Sequence, residues 1–118
     1  MHKFKDFIVW QKGCVLVKEV YQLTKFFPDN EKFGLTSQIN RAVVSIPANI
    51  AEGSGRKTNL DFCIFLDIAN GSSFELETLL ILCVDLSFLS EKDLIPIQEL
   101  NQEIQKMIYS LKQKLSRN

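Results

Sequence analysis

The chain has 118 residues, 46% of them hydrophobic and 24% charged, with 14 basic and 14 acidic side chains in balance. This is enough for one domain with a core, and it excludes a disordered tail or a clearly basic protein that coats nucleic acid. Five glycines and three prolines are too few for the turns of a Greek-key sandwich, and the densest apolar run, residues 79–84, is far too short to span a bilayer.

The spacing of apolar residues predicts four helices. The first runs from about Lys5 to Phe26 and stops at the turn Phe27-Pro28-Asp29-Asn30. His2 precedes it, in a segment expected to fray. Within this helix Cys14-Val15-Leu16-Val17 covers a whole turn with apolar side chains. The second helix spans Leu35 to Glu52, with Leu35, Ile39, Ala42, Val43, Ile46 and Ile50 forming a stripe about 100° wide. Gln38, Arg41, Ser45, Asn49 and Glu52 form a polar seam within about 80° of one another. Pro47 lies inside this helix, where it removes a donor and crowds the carbonyl of Val43 at a cost of about 3 kcal/mol, so a kink is expected.

The helix closes at Gly53-Ser54-Gly55, followed by Arg56 and Lys57. Thr58, with Asp61 three residues on, reads as the cap of a third helix that continues to about Phe88. Gly71-Ser72-Ser73 is its weak point and a place where another backbone could approach. The fourth helix starts near Ser90 or Pro96 and ends about Leu115, with Leu100, Ile104, Met107, Ile108, Leu111 and Leu115 on one side. Short loops between four helices predict a single all-α domain over residues 1–118, an antiparallel up-down-up-down four-helix bundle. Antiparallel pairing about a turn near residue 56 sets Arg41 level with Gly71 and one turn from Asp67 or Glu75, which predicts an ion pair.

Cys14, Cys63 and Cys83 are odd in number, lie in apolar surroundings and lack metal-ligand spacing, and His2 is the lone histidine. No metal or other cofactor is expected. Glu52, Glu75 and Glu77 are carboxylates without a nucleophile, a usable histidine or a phosphate loop, so the chain reads as a non-enzyme with no small-molecule substrate. The opening residues lack the apolar core of a signal peptide, and a cytoplasmic protein without a membrane partner is expected. Residues 59–93 hold seven carboxylates against one lysine, while residues 1–27 hold five lysines against two acids. Complementary neighbours within the fold or between subunits follow. The first and third helices are apolar around more than one face, and the second adds Val44, Ala48 and Ala51 away from its main stripe. Copies of the chain are expected to cover that excess.

A series of motifs spreads over nearly the whole chain. Phe4, Asp6, Trp10-Gln11, Tyr21, Thr24, Phe27-Pro28 and Glu31 open it; Phe33-Gly34-Leu35, Gln38 and Arg41-Ala42 follow. Ser45-Ile46-Pro47-Ala48-Asn49-Ile50-Ala51-Glu52-Gly53 is its most specific block, and Ala69, Gly71-Ser72 and Glu75-Leu76-Glu77 complete it. In these residues the chain resembles the 23S rRNA-associated four-helix-bundle proteins encoded in intervening sequences of bacterial 23S rRNA genes. They are related to the accessory variability determinant of diversity-generating retroelements. The resemblance implies a left-handed bundle that assembles as a ring, typically a homopentamer. In the related group such a barrel binds nucleic acid and a reverse transcriptase. Asn40 departs from the pattern, since many relatives carry a second basic residue before Arg41.

Two functions are expected from this reading. One is a ring-forming scaffold that binds RNA or a ribonucleoprotein through Arg41, Arg56 and Lys57, with Gln38, Ser45, Asn49, Glu52 and Glu75 as a structural polar seam. The alternative is a protein-interaction module with no nucleic-acid binding, which the acidic third segment fits better.

Overall fold

A computed structural model describes residues 2–117, and among these every regular element is helical. The helices are α1 (Ile8–Thr24), α2 (Leu35–Ser54), α3 (Asn59–Asp85) and α4 (Glu91–Ser116). Single 3₁₀ turns, Phe4–Asp6 and Asp29–Glu31, precede α1 and α2.

Local chemistry sets most of these limits. Phe7 is extended (φ −76°, ψ 124°), so the backbone restarts at Ile8 rather than running on from Lys5. Glu31 reaches forward to accept the Leu35 N–H at 3.3 Å and serves the unfilled N-terminus of α2. Thr58 caps α3 by accepting from the Asp61 N–H at 3.0 Å. Ser90 caps α4 in the same way through Asp93, at 3.1 Å, which decides between the two expected starts. Pro96 then falls in the second turn of α4, costing one backbone bond near the end of the helix. α3 stops three residues short of Phe88, because Ser87 takes a left-handed backbone with φ 65°. There Ser87 donates to Val84 O at 3.0 Å and Phe88 donates to Cys83 O at 2.8 Å, a complete Schellman ending.

Each helix packs on its chain neighbours and α4 closes onto α1, with the α2–α3 contact the most extensive. Partner numbers rise on one helix as they fall on the next: Gly13 meets Pro47 and Thr24 meets Asn40, Ser45 meets Ser72 and Gly53 meets Phe65, and Asp67 meets Lys112 while Ser73 meets Asn101. Leu16, Ile39, Val43, Ile46, Phe62, Leu66, Leu76, Leu80, Ile104 and Ile108 are among the fully buried side chains. Each contributes about 1.5–3 kcal/mol by leaving water. The body measures 46 × 24 × 19 Å.

Two glycines allow close approach. A Cβ on Gly13 would stand 3.3 Å from the Pro47 Cβ, so α1 lies directly on the proline of α2. A Cβ on Gly53 would stand 2.6 Å from the Phe65 Cβ, which no backbone shift short of separating α2 from α3 relieves. Gly71, by contrast, faces open space, and among the described residues no other backbone approaches it. The expected fraying at His2 is also corrected. Its N–H donates to Ser54 O at 3.1 Å, and its ring lies 5.3 Å from Phe62 and 5.9 Å from Phe7. This aromatic contact holds the segment against the bundle end.

Candidate nucleic-acid interface

The polar seam of α2 faces α3 at its middle. Ser45 Oγ accepts from Ser72 Oγ at 3.0 Å and from Asn49 Nδ2 at 2.8 Å, and Asn49 Nδ2 also reaches Ser45 O at 2.8 Å. The hydroxyls thereby satisfy groups that would otherwise sit unpaired between two helices. Gln38, Arg41, Ser45, Ser72 and Glu75 line an open hollow of about 460 Å³ beside this contact. Glu52, the last member of the seam, lies near the end of α2 and accepts from Arg56 at 3.1 Å.

Arg41 does not form the expected ion pair. The Ser45–Ser72 contact sets Arg41 near residue 76 of α3, about five residues beyond the expected register. The turn itself, residues 55–58, centres within about one residue of the expected position, so most of the shift lies in how the two helices pack, with Gly53 set against Phe62 and Phe65. Asp67 is therefore out of reach and binds Lys112 of α4 instead. Glu75 shares the hollow with Arg41, but no carboxylate among the described residues lies within ion-pair distance of the guanidinium.

Arg56 stands over the Phe65 ring at 4.4 Å while holding Glu52, so its charge is partly committed to the chain itself. Lys57 is exposed in the turn, without a partner among the described residues. Arg41 and Arg56 are separated by fifteen positions, about 22 Å along α2, so the three cations do not converge within one copy.

A buried polar network between α3 and α4 escaped the sequence reading. Asn101 is fully buried, donates to Ser73 O at 3.0 Å and accepts from Ser73 Oγ at 2.6 Å. Gln105 bridges Ser73 Oγ and Glu77, each at 3.0 Å, and Gln102 adds a bond to Glu77 at 3.3 Å. The signal was an asparagine set between Ile97 and Ile104 on the apolar stripe of α4. Burial pushes the Cys83 thiol up to about 11, with Glu31 adding to the rise, and burial also raises Cys14 against the opposing charge of Lys18. Neither offers a reactive thiolate near neutrality. Among the described residues no group of His, Cys, Asp and Glu is arranged to hold a metal ion, and no helix is long and apolar enough to cross a membrane.

Residues 5–110 match the family model described as 23S rRNA-intervening sequence protein. The chain belongs to this family. Among solved structures it is similar to a crystal structure of a protein of unknown function from the S23 ribosomal protein family of Bacteroides thetaiotaomicron VPI-5482. The two share 28% identity and a TM-score of 0.83, over 89% of this chain and 98% of that one. No curated protein matches the chain. In this 23S rRNA-intervening sequence protein the match covers α1, α2 and α3 and most of α4, so α2 with Arg41 and the turn with Arg56 and Lys57 both lie within the family domain.

Proposed function

We propose that this protein is a non-enzymatic, self-associating scaffold whose assembly presents basic residues to RNA or a ribonucleoprotein. The observation that carries the proposal is the outer face of α3. Leu60, Ile64, Ile68, Phe74, Leu82 and Leu86 are 43–75% exposed and fall within about 120° of one another along the full helix. Gly71 sits in the middle of that face with open space before it, and exposed Val44 and Ala48 extend the apolar surface onto α2. Asp67, Glu75, Thr78 and Asp85 are exposed on the same face and break it into shorter apolar stretches, but so much exposed apolar surface on a chain of 118 residues marks an interaction surface.

A ring needs two different patches per copy, one for each neighbour. The second is available as an apolar hollow of about 420 Å³ between α1 and α4, lined by Phe7, Ile8, Val9, Met107 and Leu111. Five copies is the number the family resemblance adds. The family's description refers to the genetic location of its members, so RNA as the ligand rests on the basic side chains, and a ring multiplies the weak phosphate contacts of Arg41, Arg56 and Lys57.

Size-exclusion chromatography with light scattering at micromolar concentration tests the assembly. A mass about five times 13.5 kDa is expected, and Ile64→Asp/Leu82→Asp is expected to return a folded species of 13.5 kDa. A wild-type chain at 13.5 kDa in that experiment removes the scaffold. The second reading, a protein-interaction module without nucleic-acid binding, is favoured by the seven carboxylates of residues 59–93. Internal bonds already engage part of that charge, since Asp67 binds Lys112 and Glu77 accepts from Gln102 and Gln105. A partner retained on the protein after nuclease digestion would favour this second reading.

A further inference from the structure

At the end of the bundle away from Arg56, the last turn of α1, the loop before α2 and the first turns of α2 enclose an open hollow of about 540 Å³. Its walls carry two kinds of group that rarely stand bare together. Tyr21 is 42% exposed and Phe33 is 91% exposed, so aromatic faces are offered to solvent. Lys25, Lys32 and Arg41 also line it, and no carboxylate does. The neighbouring acids lie outside that lining: Glu31 is turned to the Leu35 N–H, Asp29 is exposed in the loop, and Glu75 lines the adjoining hollow that Arg41 also borders, beyond ion-pair distance of it.

The remaining polar groups are mostly unfilled donors. The N–H groups of Thr36 and Ser37, in the uncapped first turn of α2, have no partner among the described residues. Thr36 Oγ1 is buried at the same place without a hydrogen bond. Asn40 Oδ1 accepts from Thr24 Oγ1 at 3.2 Å, which leaves its amide N–H₂ free to donate. Lys32 Nζ rests 5.6 Å from the Phe33 ring centroid, and Arg41 has no ion pair. Each of these groups suits an anion or a carbonyl oxygen, and the aromatic faces suit a flat ring.

We propose that this hollow binds an unpaired nucleotide of single-stranded RNA, with the base stacked on Phe33 beside Tyr21 and the flanking phosphates held by Lys25, Lys32 and Arg41. The proposal rests on the RNA reading above and relocates its main contact. Stacking selects an unpaired strand, because in a duplex both faces of each base are already covered. The cations read the backbone without regard to sequence.

Fluorescence anisotropy of the full chain with a labelled, unstructured 12-nucleotide RNA, and with the same RNA in a duplex, tests this at two salt concentrations. Tighter binding to the single strand is expected. Phe33→Ala weakens that binding roughly tenfold. Arg41→Gln reduces the slope of log affinity against log salt by about one. Both side chains are exposed, so an unchanged melting temperature is expected to confirm that the variants fold.

Equal or tighter binding to the duplex overturns the hollow as the site. So does binding that survives both substitutions but is lost in Arg56→Ala/Lys57→Ala, an outcome that leaves RNA as the ligand. Absence of binding to either RNA at low salt overturns the hollow and the RNA reading together.

Discussion

Ser87 holds a left-handed backbone with φ 65°, a conformation that crowds any Cβ and costs an L-residue about 1–2 kcal/mol. The bonds from Ser87 to Val84 and from Phe88 to Cys83 fix that geometry, and the Phe88 ring packs 6.1 Å from Phe27. Glycine needs no such compensation. Ser87→Gly is therefore expected to raise stability by about 1 kcal/mol in urea unfolding without changing the slope of the transition. Single-residue chemistry was legible where a side chain acts on its own backbone. Thr58 with Asp61 announced the start of α3, and Pro28 announced the end of α1. It was illegible at Ser87, because serine carries no mark of the left-handed turn that glycine or asparagine would have given. It was illegible at His2 as well, whose anchoring depends on Phe62, sixty positions away.

Between α3 and α4 the register is held by polar atoms set into an apolar seam. Asn101 and Ser73 are fully buried and make two mutual bonds, and Gln105 ties Ser73 to Glu77. Replacing one partner strands the other, whereas sliding α4 by a turn would strand several at once. Asn101→Ala is expected to destabilise the fold by about 2 kcal/mol, read as a lower urea midpoint, because it leaves the Ser73 carbonyl without its side-chain donor and opens a small cavity. Helix number and order could be read from apolar spacing alone. Registers could not, since they depend on how the side chains of two helices interlock as well as on where the turn lies. For α2 and α3 the Ser45–Ser72 contact sets a pairing that carries Arg41 past Asp67 to the neighbourhood of Glu75 and Ser72. The serines of Gly71-Ser72-Ser73 read as a flaw in α3, yet Ser72 bonds it to α2 and Ser73 bonds it to α4.

For the molecule as a whole, surface left bare by the isolated chain was the most legible quantity. The apolar surplus of the first and third helices remains uncovered in the folded chain, at Val15 (45% exposed) and along α3. Where the surplus would meet a neighbour depends on three-dimensional shape, and the α1–α4 hollow had no signature in the pattern of residues. If copies cover this surface, stability depends on protein concentration. The melting temperature is expected to rise on going from about 1 to about 100 μM, and the rise is expected to vanish in Ile64→Asp/Leu82→Asp.

One asparagine joins the two extremities of the fold. Asn59 Oδ1 lies 3.4 Å from His2 Nε2, and its Nδ2 donates to Leu115 O at 3.4 Å. Both extremities thus stand at one pole, with the aromatic, lysine-rich hollow at the other. A fluorophore or bead attached beside His2 or Leu115 would emerge away from the hollow. Tethered by that pole, the bundle would keep its far cap free to meet a strand, and a cyclic array would repeat the same polarity in every copy.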